Sequence, residues 1–158
     1  MKVVSNTTPI ISLASIGQLE LLAKLFGNVL IAEAVYQELK AKPAYGHDEI
    51  DCSFIEVKPI QGVLYRQLLL NQLDSGEAET IILAKETQAD YVLIDENLGY
   101  QFARTAGLVP IRTLSLLLNA KQKGHIPLVK PLMEDMMQKG RWYSQAVHRA
   151  FLTQAGEL

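Results

Sequence analysis

Short apolar, β-branched runs alternate along the chain with longer segments whose leucines and isoleucines recur at helical spacing. Lys2 to Ser5 reads as a strand that stops at the polar turn Ser5-Asn6-Thr7-Thr8, and Pro9 then falls where a first helical turn tolerates proline. Gln18 to Phe26 carries leucines on one helical face, and after Gly27 and Asn28 the run VLIA reads as a second buried strand. Ala32 to Lys40 predicts a helix with Val35 and Leu39 on one side, followed by a loop through Pro43 and Gly46. Phe54 to Val57 reads as a strand or an edge piece, and Val63 to Leu70 as a helix.

The segment Leu73-Asp74-Ser75-Gly76-Glu77 opens another helix, EAETIILAKETQ, with Asp74 or Ser75 as N-cap and Glu77 in the first turn. Tyr91 to Ile94 is a continuous apolar run of the kind that is buried on both faces of a parallel sheet, and it ends at Asp95. Leu98 to Ala106 then predicts a helix closed by Gly107, Leu108 to Ile111 a strand, and Leu114 to Lys123 a helix closed by Gly124. Such alternation implies right-handed crossovers and a parallel sheet in an α/β fold. Beyond Gly124 only helix is predicted, from Pro127 to Lys139 and from about Ser144 to Gln154, separated by KGRWY. With no internal repeat and no long linker, the pattern predicts one domain over residues 1–158. Residues from about 125 to 158 form a helical C-terminal extension that caps the sheet or meets a partner.

Composition narrows the picture. At 49% hydrophobic and 20% charged residues, 158 residues supply enough apolar side chain for a sizeable core. The formal charge of −2 argues against a broad basic surface, so any nucleic-acid contact is expected to be local. Cys52 is the only cysteine, which rules out an intramolecular disulfide and a thiolate-rich zinc site and fits a reducing, cytoplasmic compartment. The polar interruption at Ser5 to Thr8 is a poor match to a secretory signal, and no apolar run reaches the roughly 18 residues needed to cross a bilayer. A soluble protein is expected.

In open α/β sheets, ligands bind beyond the carboxyl ends of the strands. Two polar segments sit there: Ser5-Asn6-Thr7-Thr8 after the first strand and Asp95-Glu96-Asn97 after YVLI. Helices add Glu38 in VYQEL and the pair Glu77 and Glu79 in GEAET. Clustered carboxylates suit Mg²⁺ or Mn²⁺, hard ions that prefer oxygen ligands and offset repulsion between like charges. Residues two apart on a helix point roughly 200° apart, so Glu77 and Glu79 do not both face one metal. Glu79 is preferred for the site and Glu77 for the helix cap, while Asp95 and Glu96 both remain candidates for the inward position.

Read together, VVSNTTPIISLASIG, VYQEL, LDSGEAETIILAKETQADYVLIDENLGYQFARTAGL and KGHIPLVKPLMEDMM resemble the PIN domain superfamily. More closely, they look like its VapC-related prokaryotic branch, marked by a GEAE and a LID segment. The resemblance spans essentially the entire chain. It implies a three-layer α/β/α fold around a parallel sheet and Mg²⁺- or Mn²⁺-dependent cleavage of RNA. It also implies a homodimer and, for many members, a toxin held by an antitoxin protein. Carried over by position, the family acids fall on Asn6, Glu38, Glu79 and Asp95 or its neighbour Glu96. Glu38, Glu79 and Asp95 are thereby expected to be catalytic, and Asn6, Glu79 and Asp95 to hold the metal, with Glu77, Glu96 and Thr7 as additional candidates. Asn6 departs from the usual Asp. An amide oxygen can coordinate a hard cation but brings no charge, so weaker metal binding follows. The alternative is a catalytically weak or inactive PIN-like module that binds or regulates.

Other residues change little. His47, His125 and His148 show no ligand spacing. Arg104, Arg112, Lys121 and Lys123 are candidates for phosphate contacts on a groove. Trp142 and Tyr143 are assigned first to docking the last helix, and second to stacking on a base or anchoring a partner. Met133, Met136 and Met137 suit core packing first and an interface second. A nucleotide-binding α/β domain is disfavoured, because no GxGxxG or Walker-type loop follows any strand.

Overall fold

A computed structural model describes residues 1–158. Five short strands, β1 (Val3–Ser5), β2 (Val29–Ala32), β3 (Ile55–Lys58), β4 (Tyr91–Leu93) and β5 (Pro110–Ile111), form one sheet in the order β3-β2-β1-β4-β5. Every pairing is parallel. The segment near Phe54 is therefore a true strand, placed at the edge beside β2.

Nine helices flank this sheet: α1 (Thr7–Ser15), α2 (Leu21–Phe26), α3 (Glu33–Lys40), α4 (Val63–Leu69), α5 (Ser75–Glu86), α6 (Asn97–Thr105), α7 (Thr113–Gln122), α8 (Lys130–Gln138) and α9 (Gln145–Ala155). Successive strand residues point to opposite faces, so the sheet divides its own apolar side chains between two cores. Val3, Val29, Ile31 and Leu93 pack with residues of α1, α2, α3, α7, α8 and α9. Val4, Leu30, Ala32 and Val92 pack with α4, α5 and Ala103 of α6. The result is a three-layer α/β/α fold.

The late helices join the first of these cores through Val129, Met133, Met136, Phe151 and Leu152. Helix α8 starts later than Pro127, with Pro131 in its first turn, where the missing N–H costs no helical hydrogen bond. Near the chain end, the Glu157 carboxylate accepts from the Val129 and Lys130 amides and pairs with Lys121 at 2.8 Å, tying the last residues to α7 and α8. No helix is long and apolar enough to cross a membrane.

Register decides where the polar turns emerge. Val3, Val4 and Ser5 lie beside Tyr91, Val92 and Leu93, and the Asn6 amide donates to the Leu93 carbonyl at 2.9 Å. Asn6 and the Asp95-Glu96 pair therefore leave two adjacent central strands at the same carboxyl edge.

Candidate functional site

Asn6 is the N-cap residue of α1, yet its side chain makes no cap hydrogen bond. It is buried, and its Nδ2 donates to Glu96 Oε2 at 3.3 Å. Thr8 Oγ1 donates to the other Glu96 oxygen at 2.5 Å. Glu96 is itself the N-cap residue of α6 without a side-chain cap bond, so two cap positions lend their side chains to each other across the β1–β4 edge. With Nδ2 turned to Glu96, Asn6 Oδ1 faces Gly76, where an added Cβ would stand 3.2 Å away. The adjacent Thr7 hydroxyl is buried without a hydrogen-bond partner.

Helix α5 brings Glu77 to this edge. A capping box fixes its start: Asp74 Oδ1 accepts from the Glu77 amide at 2.8 Å and Glu77 Oε1 accepts from the Asp74 amide at 3.2 Å. The remaining oxygen, Oε2, lies 2.8 Å from where a Cβ would stand on Gly99 of α6, a place only glycine leaves open. Burial raises the Glu77 pKa from 4.5 to about 7; the hydrogen bond from the Asp74 amide opposes this, and the negative charges of Asp74 and Glu96 reinforce it. Neither Glu77 nor Glu96 makes an ion pair.

Asp95 is held differently. Its two oxygens accept from the Thr113 amide and the Thr113 hydroxyl, both at 2.7 Å, so it satisfies the first turn of α7 rather than that of the helix it precedes. Arg141, in the turn between α8 and α9, stands 3.2 Å from Asp95 Oδ2. Burial is the largest single influence and pulls the Arg141 pKa down, but the Asp95 charge, the Tyr143 hydroxyl and the Glu96 charge together outweigh it and hold the pKa above its ordinary value. Arg112 donates to the Asp95 carbonyl and to Asn97 Oδ1, and its guanidinium stacks on Tyr100 at 4.2 Å.

Two expected acids lie elsewhere. Glu79 accepts from the Ala34 amide at 3.1 Å and pairs with Arg66 Nε at 2.8 Å, so its charge is neutralised at the start of α3. Glu79, preferred for the site in the sequence, is thus engaged by Ala34 and Arg66, while Glu77 caps α5 through one oxygen and turns the other toward Gly99 of α6. Glu38 is exposed on α3, and its carboxylate takes part in no hydrogen bond or ion pair. Trp142 does not dock the last helix, being 76% exposed, whereas the half-buried Tyr143 packs against the core. Lys121, expected as a groove cation, is spent on Glu157 and the Ala155 carbonyl. His47 pairs with Asp48 at 2.8 Å.

No three His, Cys, Asp or Glu side chains are close enough to form a ready-made metal cage. The donor set at the edge nevertheless fits a hard cation: an amide oxygen, an unpartnered hydroxyl and two carboxylates without counter-ions, one with its charge disfavoured by burial and by its neighbours. Thr113, Arg112 and Arg141 were the residues sequence reasoning did not tie to Asp95. Their contacts join segments distant in sequence through a helix start and a turn, neither of which carries a periodic signal.

A central parallel sheet layered by helices, with acids at the carboxyl edge of its middle strands, defines an α/β fold of the nuclease type. The chain belongs to the PIN-domain family DUF3368, whose pattern matches residues 2–157. PIN domains generally use divalent metal ions and bind RNA. No curated protein matches the chain.

Proposed function

We propose that this protein is a metal-dependent endoribonuclease of the PIN type. The observation that carries the reading is the grouping of Glu77 and Glu96 with Asn6 at the β1–β4 edge, where neither carboxylate has a counter-ion. Asn6, Glu77 and Glu96 would hold Mg²⁺ or Mn²⁺, with Thr7 beside them and Asp95 joining if Arg141 yields. When bound, such a cation lowers the pKa of a coordinated water and neutralises charge developing on a phosphodiester. The protein's own part is positional. Thr8 and Asn6 orient Glu96, the capping box orients Glu77, and Thr113 fixes Asp95 so that the acids need not reorganise. Glu38 and Glu79, expected from the resemblance, enter this reading as outlying residues.

Purified protein incubated with single-stranded and structured RNA is expected to cleave with Mn²⁺ and not with EDTA. The Glu77→Gln, Glu96→Gln double variant should be at least about a hundredfold slower, whereas Glu38→Gln and Glu79→Gln should each lose less. Equal cleavage by wild type and the double variant would remove the site.

The resemblance to the VapC-related branch supports a toxin neutralised by an antitoxin protein and acting as a homodimer. Growth arrest on expression, relieved by a small protein encoded beside it, is the expected sign. A second reading, a binding or regulatory module of low activity, is favoured by Asn6 and by the Arg141–Asp95 ion pair, which occupies an acid that a metal would otherwise use. It predicts RNA retention without metal-dependent cleavage.

A further inference from the structure

A cavity of about 510 Å³ opens beside Asp95, between the start of α7 and the segment leading into α9. Its charged lining is cationic apart from Asp95: Arg112 and Arg141 stand on it. Both guanidiniums are held in place by contacts that leave donors over. Arg112 stacks on Tyr100, and Arg141 donates from Nε to the Tyr143 hydroxyl at 3.2 Å while its centre lies 5.0 Å from that ring. Each guanidinium carries five N–H donors and spends only part of them on protein acceptors. Leu114, Val147 and Phe151 give the cavity an apolar wall. Trp142, the one tryptophan of the chain, also lines the cavity and is left 76% exposed. An indole face in water next to two fixed cations and an apolar wall matches a ligand with a flat π-face and a phosphate. In a chain of net charge −2, this is a local cationic pocket directly against the acidic edge.

We infer that this cavity is a nucleotide subsite that seats one base and its phosphate from a single-stranded RNA, flanking the position that the acids serve. The inference rests on the ribonuclease reading for its choice of ligand. Trp142 supplies the stacking platform, Arg112 and Arg141 receive the phosphate, and Arg141 links the subsite to Asp95. Base stacking on an aromatic platform tolerates any sequence, so the subsite fixes strand position rather than base identity.

Because Trp142 is the only tryptophan, its fluorescence reports directly on the pocket. Titration of the full chain in EDTA with hexauridylate is expected to quench it saturably, with affinity falling as salt rises. An abasic ribose-phosphate hexamer should bind about tenfold more weakly, and hexaglutamate should leave the emission unchanged. By anisotropy of labelled hexauridylate, Trp142→Ala should weaken binding about tenfold and Trp142→Phe no more than about threefold, while Arg141→Gln should reduce the salt slope by about one. Unchanged melting temperatures in the Trp142 variants show that the fold is intact. Equal affinity of wild type and Trp142→Ala overturns the subsite, as does hexaglutamate binding as tightly as RNA, which would mark an acidic-protein surface instead. Cleavage with Mn²⁺ separates the two readings. Stacking without cleavage leaves the subsite and removes the ribonuclease, whereas cleavage unaffected by Trp142→Ala and Arg141→Gln does the reverse.

Discussion

Glu77 carries its charge where burial and two neighbouring acids oppose it, and this gives the folded protein a pH signature. Its pKa lies near 7 in the fold and near 4.5 ordinarily, so between these values the folded chain binds more protons than the unfolded one. The stabilising contribution is complete below about pH 4.5 and is lost as pH rises through 7. Thermal melts in EDTA should therefore show wild type losing stability relative to Glu77→Gln from about pH 5 to 7.5, by on the order of 2–3 kcal/mol. Mn²⁺ should restore it. A wild-type curve parallel to that of Glu77→Gln would show that Glu77 does not titrate in this window. Asn6→Asp adds charge to the same edge, so it should tighten Mn²⁺ binding about tenfold by calorimetry. Identical affinity would place Asn6 outside the metal's reach. At this scale the sequence was partly legible. Asn6, Asp95 and Glu96 announced themselves by following buried strands. The choice between Glu77 and Glu79 did not, because α5 is buried from Gly76 to Ala84 and has no polar face to show which way a carboxylate points.

The tightest approach between elements at the candidate site is that of α6 to α5 at Gly99. A Cβ there would stand 2.6 Å from Ile94 Cδ1 and 2.8 Å from Glu77 Oε2, so Gly99→Ala must displace an apolar side chain, a site carboxylate, or both. We expect a loss of about 1–3 kcal/mol in denaturant unfolding together with weaker Mn²⁺ binding. Full metal affinity in a destabilised variant would show that Ile94 alone gives way. Helices and strands were readable because their apolar periods differ, 3.6 against 2, and because Asp74, Gly107 and Gly124 punctuate their ends. Contacts between elements were not. Asp95 looked like a cap for the helix that follows it, but the parallel register brings β5 and the start of α7 beside it, and Thr113 takes its oxygens.

Across the whole molecule, the larger core runs from the first strand to the last helix, so the C-terminal helices and the sheet share one packing problem. Met133 and Met136 are fully buried there, as the apolar face of that helix suggested. Met133→Ala should cost roughly 2–5 kcal/mol by cavity formation, read as a lower melting temperature. It should also loosen the α8–α9 turn that carries Arg141. A melting temperature within error of wild type would mean that α8 contributes little to that core. Asp95 illustrates what such sharing does to a position over evolutionary time. Because the same carboxylate anchors α7 and receives Arg141, exchanging it breaks a helix start and an ion pair at once, and on the proposed reading it would disturb the chemistry as well. Position 6 carries no comparable anchoring duty through its side chain, since Asn6 makes no cap bond and leans only on Glu96. On the proposed ribonuclease reading, an acid exchanged for Asn6 would change the charge offered to a metal without removing a helix cap, so a single codon there would tune the chemistry more than the scaffold.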